Sequence, residues 1–157
     1  MTDIFRRALD LAMPHHCPAT HEEFASSRGL GAAAWRCVHF IDDPACRRCG
    51  VPFAADYGEE VECPACIAEP PDFDRARAAI VYDDASHNLV VGFKHGDRTE
   101  LAAMFGGWMA RAAGDMLTKD TIVTPTPLHW RRLLARRFNQ SALLAQAVAR
   151  QAGAKLS

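Results

Sequence analysis

Cys46-Arg-Arg-Cys49-Gly50 and Cys63-Pro-Ala-Cys66 place two C-x-x-C pairs thirteen residues apart in a chain of 157 residues. Zn²⁺ takes four soft or borderline ligands at the corners of a tetrahedron. Each C-x-x-C turn offers two thiolates to one ion while its backbone N–H groups stabilise the sulfurs. Gly50, directly after the second cysteine of its pair, suits the positive-φ residue that closes such a knuckle. Thirteen intervening residues are slightly fewer than is usual for a zinc site and enough for a hairpin. The spacing therefore predicts one structural Zn²⁺ held by Cys46, Cys49, Cys63 and Cys66 in a zinc ribbon. Two disulfides and a thioredoxin-like redox motif are the competing readings. The first needs an oxidising compartment, for which no signal peptide speaks, and the second would follow a strand in a βαβ unit.

Upstream of these pairs lie Cys17 and Cys37, with His15, His16, His21 and His39 near them. They form no C-x-x-C or H-x₃-H pairing, so a mixed second metal site and buried free thiols are both open readings. Residues Ile4, Phe5, Ala8, Leu9 and Ala12 make an apolar stripe of helical period. Asp3 and Asp10 sit within it, unlike a secretory h-region. No stretch of about 18 apolar residues occurs, so the expectation is a cytoplasmic chain without a membrane span. At 49% hydrophobic and 24% charged residues the composition supports a packed core and excludes disordered and collagen-like classes.

Downstream, Glu69-Pro70-Pro71-Asp72 is an extended polar link. It divides an N-terminal helix and ribbon module, 1–68, from a second unit, 72–157. In that unit Ala78 to Tyr82 reads as a short buried strand ending in Asp83-Asp84. Ser86 opens a helix with Leu89, Val90 and Phe93 on one face and Gly96 as its C-cap. Thr99 and Glu100 start a longer helix carrying Leu101, Met104, Phe105, Trp108 and Ala112. Gly106 and Gly107 inside it imply a close helix contact or a kink. Thr121 to Thr124 reads as a second strand, and Asn139 to Gln151 as a helix with Leu143, Leu144, Ala147 and Val148 on its core face. Strand, helix, helix, strand, helix is the beginning of an α/β domain. A half-built sheet leaves an open edge and an uncovered apolar helix face, through which self-association or a partner is expected.

Charge is divided unevenly along the chain. Up to Asp120 there are 12 Lys and Arg against 19 Asp and Glu, a net of −7; from Thr121 onward six basic residues meet no acid, a net of +6. The basic segment is either an anion-binding surface or a solvated face that pairs with the acidic part of the same fold. Arg131, Arg132, Arg136 and Arg137 flank Leu133 and Leu134, and a helical turn would bring Arg132 and Arg136 to one side. Trp130 and Phe138 beside them are either stacking residues or core.

Taken in order, the ribbon, Asp74-Arg75-Ala76-Arg77-Ala78, Tyr82-Asp83, Phe93-Lys94-His95-Gly96-Asp97, Pro125-Thr126-Pro127-Leu128-His129, Arg132 and Arg136-Arg137-Phe138-Asn139-Gln140 resemble the ComF family over nearly the whole chain. That resemblance implies a zinc ribbon followed by the first part of a type I phosphoribosyltransferase-like α/β domain. It also implies a link to natural competence, the uptake of single-stranded DNA. Members often carry a double ribbon; here Thr20 stands three positions after Cys17 and Gly31-Ala-Ala-Ala34 precedes Trp35, so the first site looks eroded. The family's acidic pair and Thr/Gly-rich loop for phosphoribosyl pyrophosphate do not occur before Ser157. The resemblance therefore implies a chain truncated before that loop, with no catalytic residue assigned and no ribosyl transfer by the chain alone. Mg²⁺ would enter only with the missing half.

Three functions follow. The first is a ComF-like competence protein whose partners are single-stranded DNA or competence proteins. The second is a phosphoribosyltransferase completed by a separate half. The third is a zinc-ribbon nucleic-acid-binding adaptor. Lys94, Arg131, Arg132, Arg136 and Arg137 are the candidate phosphate or DNA contacts. Thr124, Pro125, Thr126 and Pro127 are the candidate loop for weak binding of pyrophosphate or phosphoribosyl pyrophosphate.

Overall fold

The computed structural model describes residues 15–16, 23–24, 30–58, 60–95, 98–129, 131 and 138–157. Its elements run β1 (His15–His16), β2 (Glu23–Phe24), α1 (Ala32–Cys37), α2 (Pro64–Ala68), α3 (Asp84–His95), α4 (Leu101–Ala113), a 3₁₀ turn (Gly114–Met116), β3 (Ile122–Val123), α5 (Gln140–Ala152) and β4 (Lys155–Leu156). β1 pairs antiparallel with β2, and β3 pairs parallel with β4 across α5 in a short βαβ arrangement. Mixed helix and strand behind a ribbon is the expected order of elements. The helical pattern from Ile4 to Ala12, Cys17, His21, the Gly96 cap, Trp130 and the turn carrying Arg132, Arg136 and Arg137 lie outside the described residues. Among those described, no helix is long and apolar enough to cross a membrane.

α3 begins two residues earlier than the apolar pattern indicates, because its start is set by polar groups. The Asp83 carboxylate accepts from the Ser86 N–H at 2.9 Å, and the Asp83 N–H donates back to Ser86 Oγ at 2.9 Å. This reciprocal pair caps the first turn, and the fully buried Ser86 hydroxyl donates onward to the Val81 carbonyl. The Ser86 N–H, and after it His39, hold the Asp83 carboxyl below its ordinary range. The cap also ends the extended run before it. Of Ala78 to Tyr82 only Ile80 makes a β-bridge, antiparallel to Phe40, while Val81 and Tyr82 are exposed. The expected buried strand is thus a single bridge.

The main core joins segments from both sides of the ribbon. Leu30, Ala34 and Val38 around α1 pack with Leu89 and Phe93 of α3 and with Leu101, Ala102 and Phe105 of α4. Rings continue this core outward: Phe93 meets Phe105 edge-on at 5.4 Å, Phe105 meets Trp108 at 5.2 Å, and Trp108 meets Phe40 at 5.0 Å. Trp35 stacks on Phe40 at 5.6 Å. Edge-to-face contacts of this kind add about 0.5–1.5 kcal/mol each beyond burial.

α5 starts where sequence places it. Asn139 is its N-cap, accepting from the Ser141 N–H at 2.9 Å, and Gly153 closes it in the left-handed region at φ 66°. Its contact with α4 decides between the two readings of the glycine pair. A Cβ on Gly106 would lie 2.3 Å from the Ala147 Cβ, whereas one on Gly107 would meet nothing within 4 Å. Gly106 is therefore a close-approach position.

Gly106→Ala forces α4 from α5 and is expected to lower stability by about 1–2 kcal/mol, after the helix-propensity gain of about 1 kcal/mol is set against overpacking. Gly107→Ala, with the same propensity gain and no clash, is expected to raise stability by up to about 1 kcal/mol. Urea unfolding of the two variants checks the pair; equal shifts would remove the close-approach argument.

Candidate metal centre

The ribbon is built by hydrogen bonds that turn the chain twice. In the first knuckle the Cys46 N–H donates to the Val51 carbonyl at 2.8 Å and the Gly50 N–H returns to the Cys46 carbonyl at 2.9 Å. Gly50 has φ +73°, the conformation its position after Cys49 indicates, and a Cβ there would also strike the Ala76 carbonyl at 2.8 Å. In the second knuckle Cys63 is the N-cap of α2, with Pro64 in its first turn and the Ile67 N–H donating to the Cys63 carbonyl. The two knuckles are joined by the Arg47 N–H to the Val61 carbonyl at 2.9 Å and by the Cys63 N–H to Cys46 Sγ at 3.2 Å.

These turns bring the four sulfurs of Cys46, Cys49, Cys63 and Cys66 within 4.8 Å of one another. Cys49 Sγ and Cys63 Sγ are 3.7 Å apart. A tetrahedral ion with Zn–S bonds of about 2.3 Å sets its sulfurs about 3.8 Å apart, while a disulfide needs about 2.05 Å. The donor set and its spacing fit zinc, and the cysteines are unbridged. Among the described residues this is the one group of three or more His, Cys, Asp or Glu side chains placed to hold a metal. Cys37 ends α1 exposed to solvent, and His39 directs Nδ1 to Asp83 Oδ2 at 2.8 Å.

Electrostatics inside the cluster are uneven. Burial raises the Cys46 thiol, but the backbone N–H groups of Cys49, Cys63 and Arg48, with the Cys49 thiol, outweigh it and bring it to about 6. Around Cys49, the Val51 N–H lowers the thiol, yet burial and the Cys46 and Cys63 sulfurs leave it raised. Burial, followed by the other three sulfurs, pushes Cys66 up to about 12. One thiolate is thus available near neutrality. A divalent cation makes ionisation of the others favourable, which is what zinc supplies when bound.

A residue that spacing does not reveal holds the first knuckle from behind. Arg77 Nη1 donates to the carbonyls of Cys46 at 3.2 Å, Arg47 at 2.9 Å and Ala76 at 2.9 Å. The Ala76 N–H donates to the Arg48 carbonyl at 2.6 Å. Arg47 pairs with Glu60 and Arg48 with Glu62. Both arginines between the first cysteines are therefore bound to glutamates of the ribbon itself.

The remaining candidate residues are spread over the second unit. Lys94 lies exposed near the end of α3, and its carbonyl accepts from Gln140 Nε2 at 2.9 Å. The Thr126 N–H donates to Ser141 Oγ at 3.0 Å, and its carbonyl receives Asn139 Nδ2 at 3.4 Å. Lys94, Thr126 and Pro127 line one cavity, whose lining does not include Thr124, Pro125 or Arg131.

Two knuckles and a four-sulfur centre define the N-terminal part as a zinc ribbon, and residues 8–67 match the double zinc ribbon domain family. The chain is 33% identical over 114 residues to the DNA utilization protein YhgH of Salmonella typhimurium strain LT2. It is 30% identical over 115 residues to the protein of the same name from Escherichia coli strain K12. Each match covers 69% of this chain, and 48% and 49% of the relatives, so the chain spans about half the length of the curated relatives it matches. No solved structure matches it.

Purified protein is expected to carry zinc, and Cys49→Ser to lose it. A structural zinc contributes on the order of 10 kcal/mol to folding, so the variant should unfold the ribbon while α3 to α5 stay helical by circular dichroism. Because Cys49 and Cys66 keep their protons at neutral pH without metal, loading must release about two protons or more, and affinity must fall as pH drops. Calorimetry in buffers of different ionisation enthalpy reads that release; zinc binding without it would contradict the assignment.

Proposed function

We propose that this chain is a ComF-like protein that engages single-stranded DNA in natural competence, with one structural Zn²⁺ in a ribbon module at 1–68 and a phosphoribosyltransferase-related α/β unit at 72–157. The observation that carries the reading is 33% identity, over 69% of this chain, to a protein whose name is DNA utilization. The four-cysteine centre accompanies it. In this reading the protein works in the cytoplasm. Its partners are the strand and competence proteins, and copies associate through the open edge of the β3–β4 pair.

The distribution of charge supports a DNA contact in the C-terminal segment of the chain. From Asp42 to Asp74 there are nine carboxylates and two arginines, and both arginines are paired with glutamates. Phosphates are repelled there and drawn to the segment after Thr121, which has six basic residues and no acid. Lys94, Arg131, Arg132, Arg136 and Arg137 are the proposed phosphate contacts, with Trp130 and Phe138 as stacking residues. Thr124, Pro125, Thr126 and Pro127 are the proposed vestige of a diphosphate loop. Mg²⁺ belongs to that chemistry only where an acidic pair completes it.

Binding through about two to four phosphates should weaken with log salt at a slope of roughly −1.5 to −3 for a single strand. Arg132→Ala with Arg136→Ala is expected to flatten the slope at unchanged zinc content. Fluorescence anisotropy of a labelled oligothymidylate across a salt series measures both. Affinity insensitive to salt, or unaltered by the double substitution, would show the basic segment to be structural.

A further inference from the structure

Between α3, α4, the start of α5 and the connector that follows Arg77 lies a cavity of about 610 Å³. Drug-sized ligands occupy sites of about 300–1,000 Å³. Its body is apolar: Val90 and Phe93 from α3, Phe105 and Trp108 from α4, Leu128, and Leu144 from α5. Thr126, Asn139 and Ser141 form a polar end, and their hydrogen bonds are made to one another, which makes that end a fixed surface. Gln140 Nε2 ties the start of α5 to the end of α3 through the Lys94 carbonyl at 2.9 Å.

The charge of the lining selects the occupant. In a chain with 19 acidic and 18 basic residues, the charged side chains among the described residues of the lining are Arg77 and Lys94, with no carboxylate among them. Arg77 commits Nη1 to the ribbon carbonyls of Cys46 and Arg47 and to the carbonyl of its neighbour Ala76, while the exposed Lys94 ammonium can move towards a ligand. The positive end of α5 acts in the same direction. Two cations and a helix terminus are too little for a diphosphate, most of whose oxygens would face apolar side chains. A purely apolar compound would leave Lys94 without a partner.

We infer that this cavity binds an aromatic anion, its rings against Phe93 and Trp108 and its negative group at Lys94. A free aromatic acid and one nucleotide of a single strand share that chemistry. The site does not rest on the DNA reading, since it is tested in the absence of nucleic acid.

The test titrates the full-length, zinc-loaded chain with anilinonaphthalene sulfonate and with phenylnaphthylamine, the same rings without the anion. One sulfonate dye per chain is expected, bound about tenfold or more tightly than the neutral compound. Lys94→Gln should lower affinity for the sulfonate about tenfold and leave the neutral compound unchanged. Val90→Trp, which fills the cavity from a half-buried position on α3, should abolish both. Equal binding of the two compounds, several dyes per chain, or indifference to Val90→Trp would overturn the site. Displacement of the bound dye by oligothymidylate would assign the site to a nucleotide of a strand, and retention would assign it to a free acid.

Discussion

Four sulfurs within 4.8 Å of one another, three of them buried, set the terms on which the N-terminal part can fold. Among the described residues, the cluster of Cys46, Cys63 and Cys66 has only Cys49 and Phe53 packed against it. Apolar burial of that size cannot offset the conformational entropy of ordering some thirty residues, at about 1–2 kcal/mol each. The metal must therefore serve as the core. The same proximity makes the site unfavourable without an ion, because Cys46 ionises near pH 6 while burial, and then the sulfurs around it, push Cys66 up to about 12. A single cation removes both difficulties, which ties ribbon folding to zinc loading.

What is set at the sulfurs reaches the helices through a short piece of backbone. Gly50 touches the Ala76 carbonyl, the Ala76 N–H bonds to Arg48, and Arg77 holds the carbonyls of Cys46 and Arg47. Four residues on, Val81 and Ala79 bond to His39 and Ile41, and Ile80 packs beside Phe40 on the main core. Ala78, Ala79 and Ile80 also form one wall of the cavity. The connector is thus a common wall between metal centre and helices. Glu69 to Asp72, a polar link with bends at Glu69 and Asp72, lies just before it and carries none of these bonds.

Legibility in the sequence followed how local each cause is. The C-x-x-C pairs and Gly50 could be read because ligand geometry and a positive φ are properties of four or five neighbouring residues. The start of α5 at Asn139 is equally local, and the start of α3 is set by the D-x-x-S pattern of Asp83 and Ser86, which apolar periodicity does not register. Gly106 was half legible: a glycine inside an apolar helix signals close approach, but Ala147, forty-one positions on, reads only as a core-face residue with nothing to mark which glycine it meets. Arg77 was not legible at all. Its bonds go to main-chain carbonyls, which no side-chain pattern marks. The strand expected over Ala78 to Tyr82 failed because five apolar-leaning residues do not specify how many partners exist, and here there is one, Phe40.

The β3–β4 pair poses a different constraint. Parallel strands are ordinarily covered on both faces, since their crossover helices lie on them. Here the ladder is two residues long, α5 supplies the crossover, and Ile122 and Leu156 remain 63% and 46% exposed. In this register Ile122 stands opposite Lys155 and Leu156 opposite Val123, so the two exposed side chains lie on opposite faces of the ladder, each a small apolar site. Two paired residues contribute too little by themselves to fix the register. What holds it is the polar frame at its ends, where the Lys155 N–H donates to the Thr121 carbonyl, the Ser157 N–H to the Val123 carbonyl, and Thr121 Oγ1 to the Met116 carbonyl. The pair is therefore held by its own hydrogen bonds, and an element laid against its edge would bear only the cost of its own ordering.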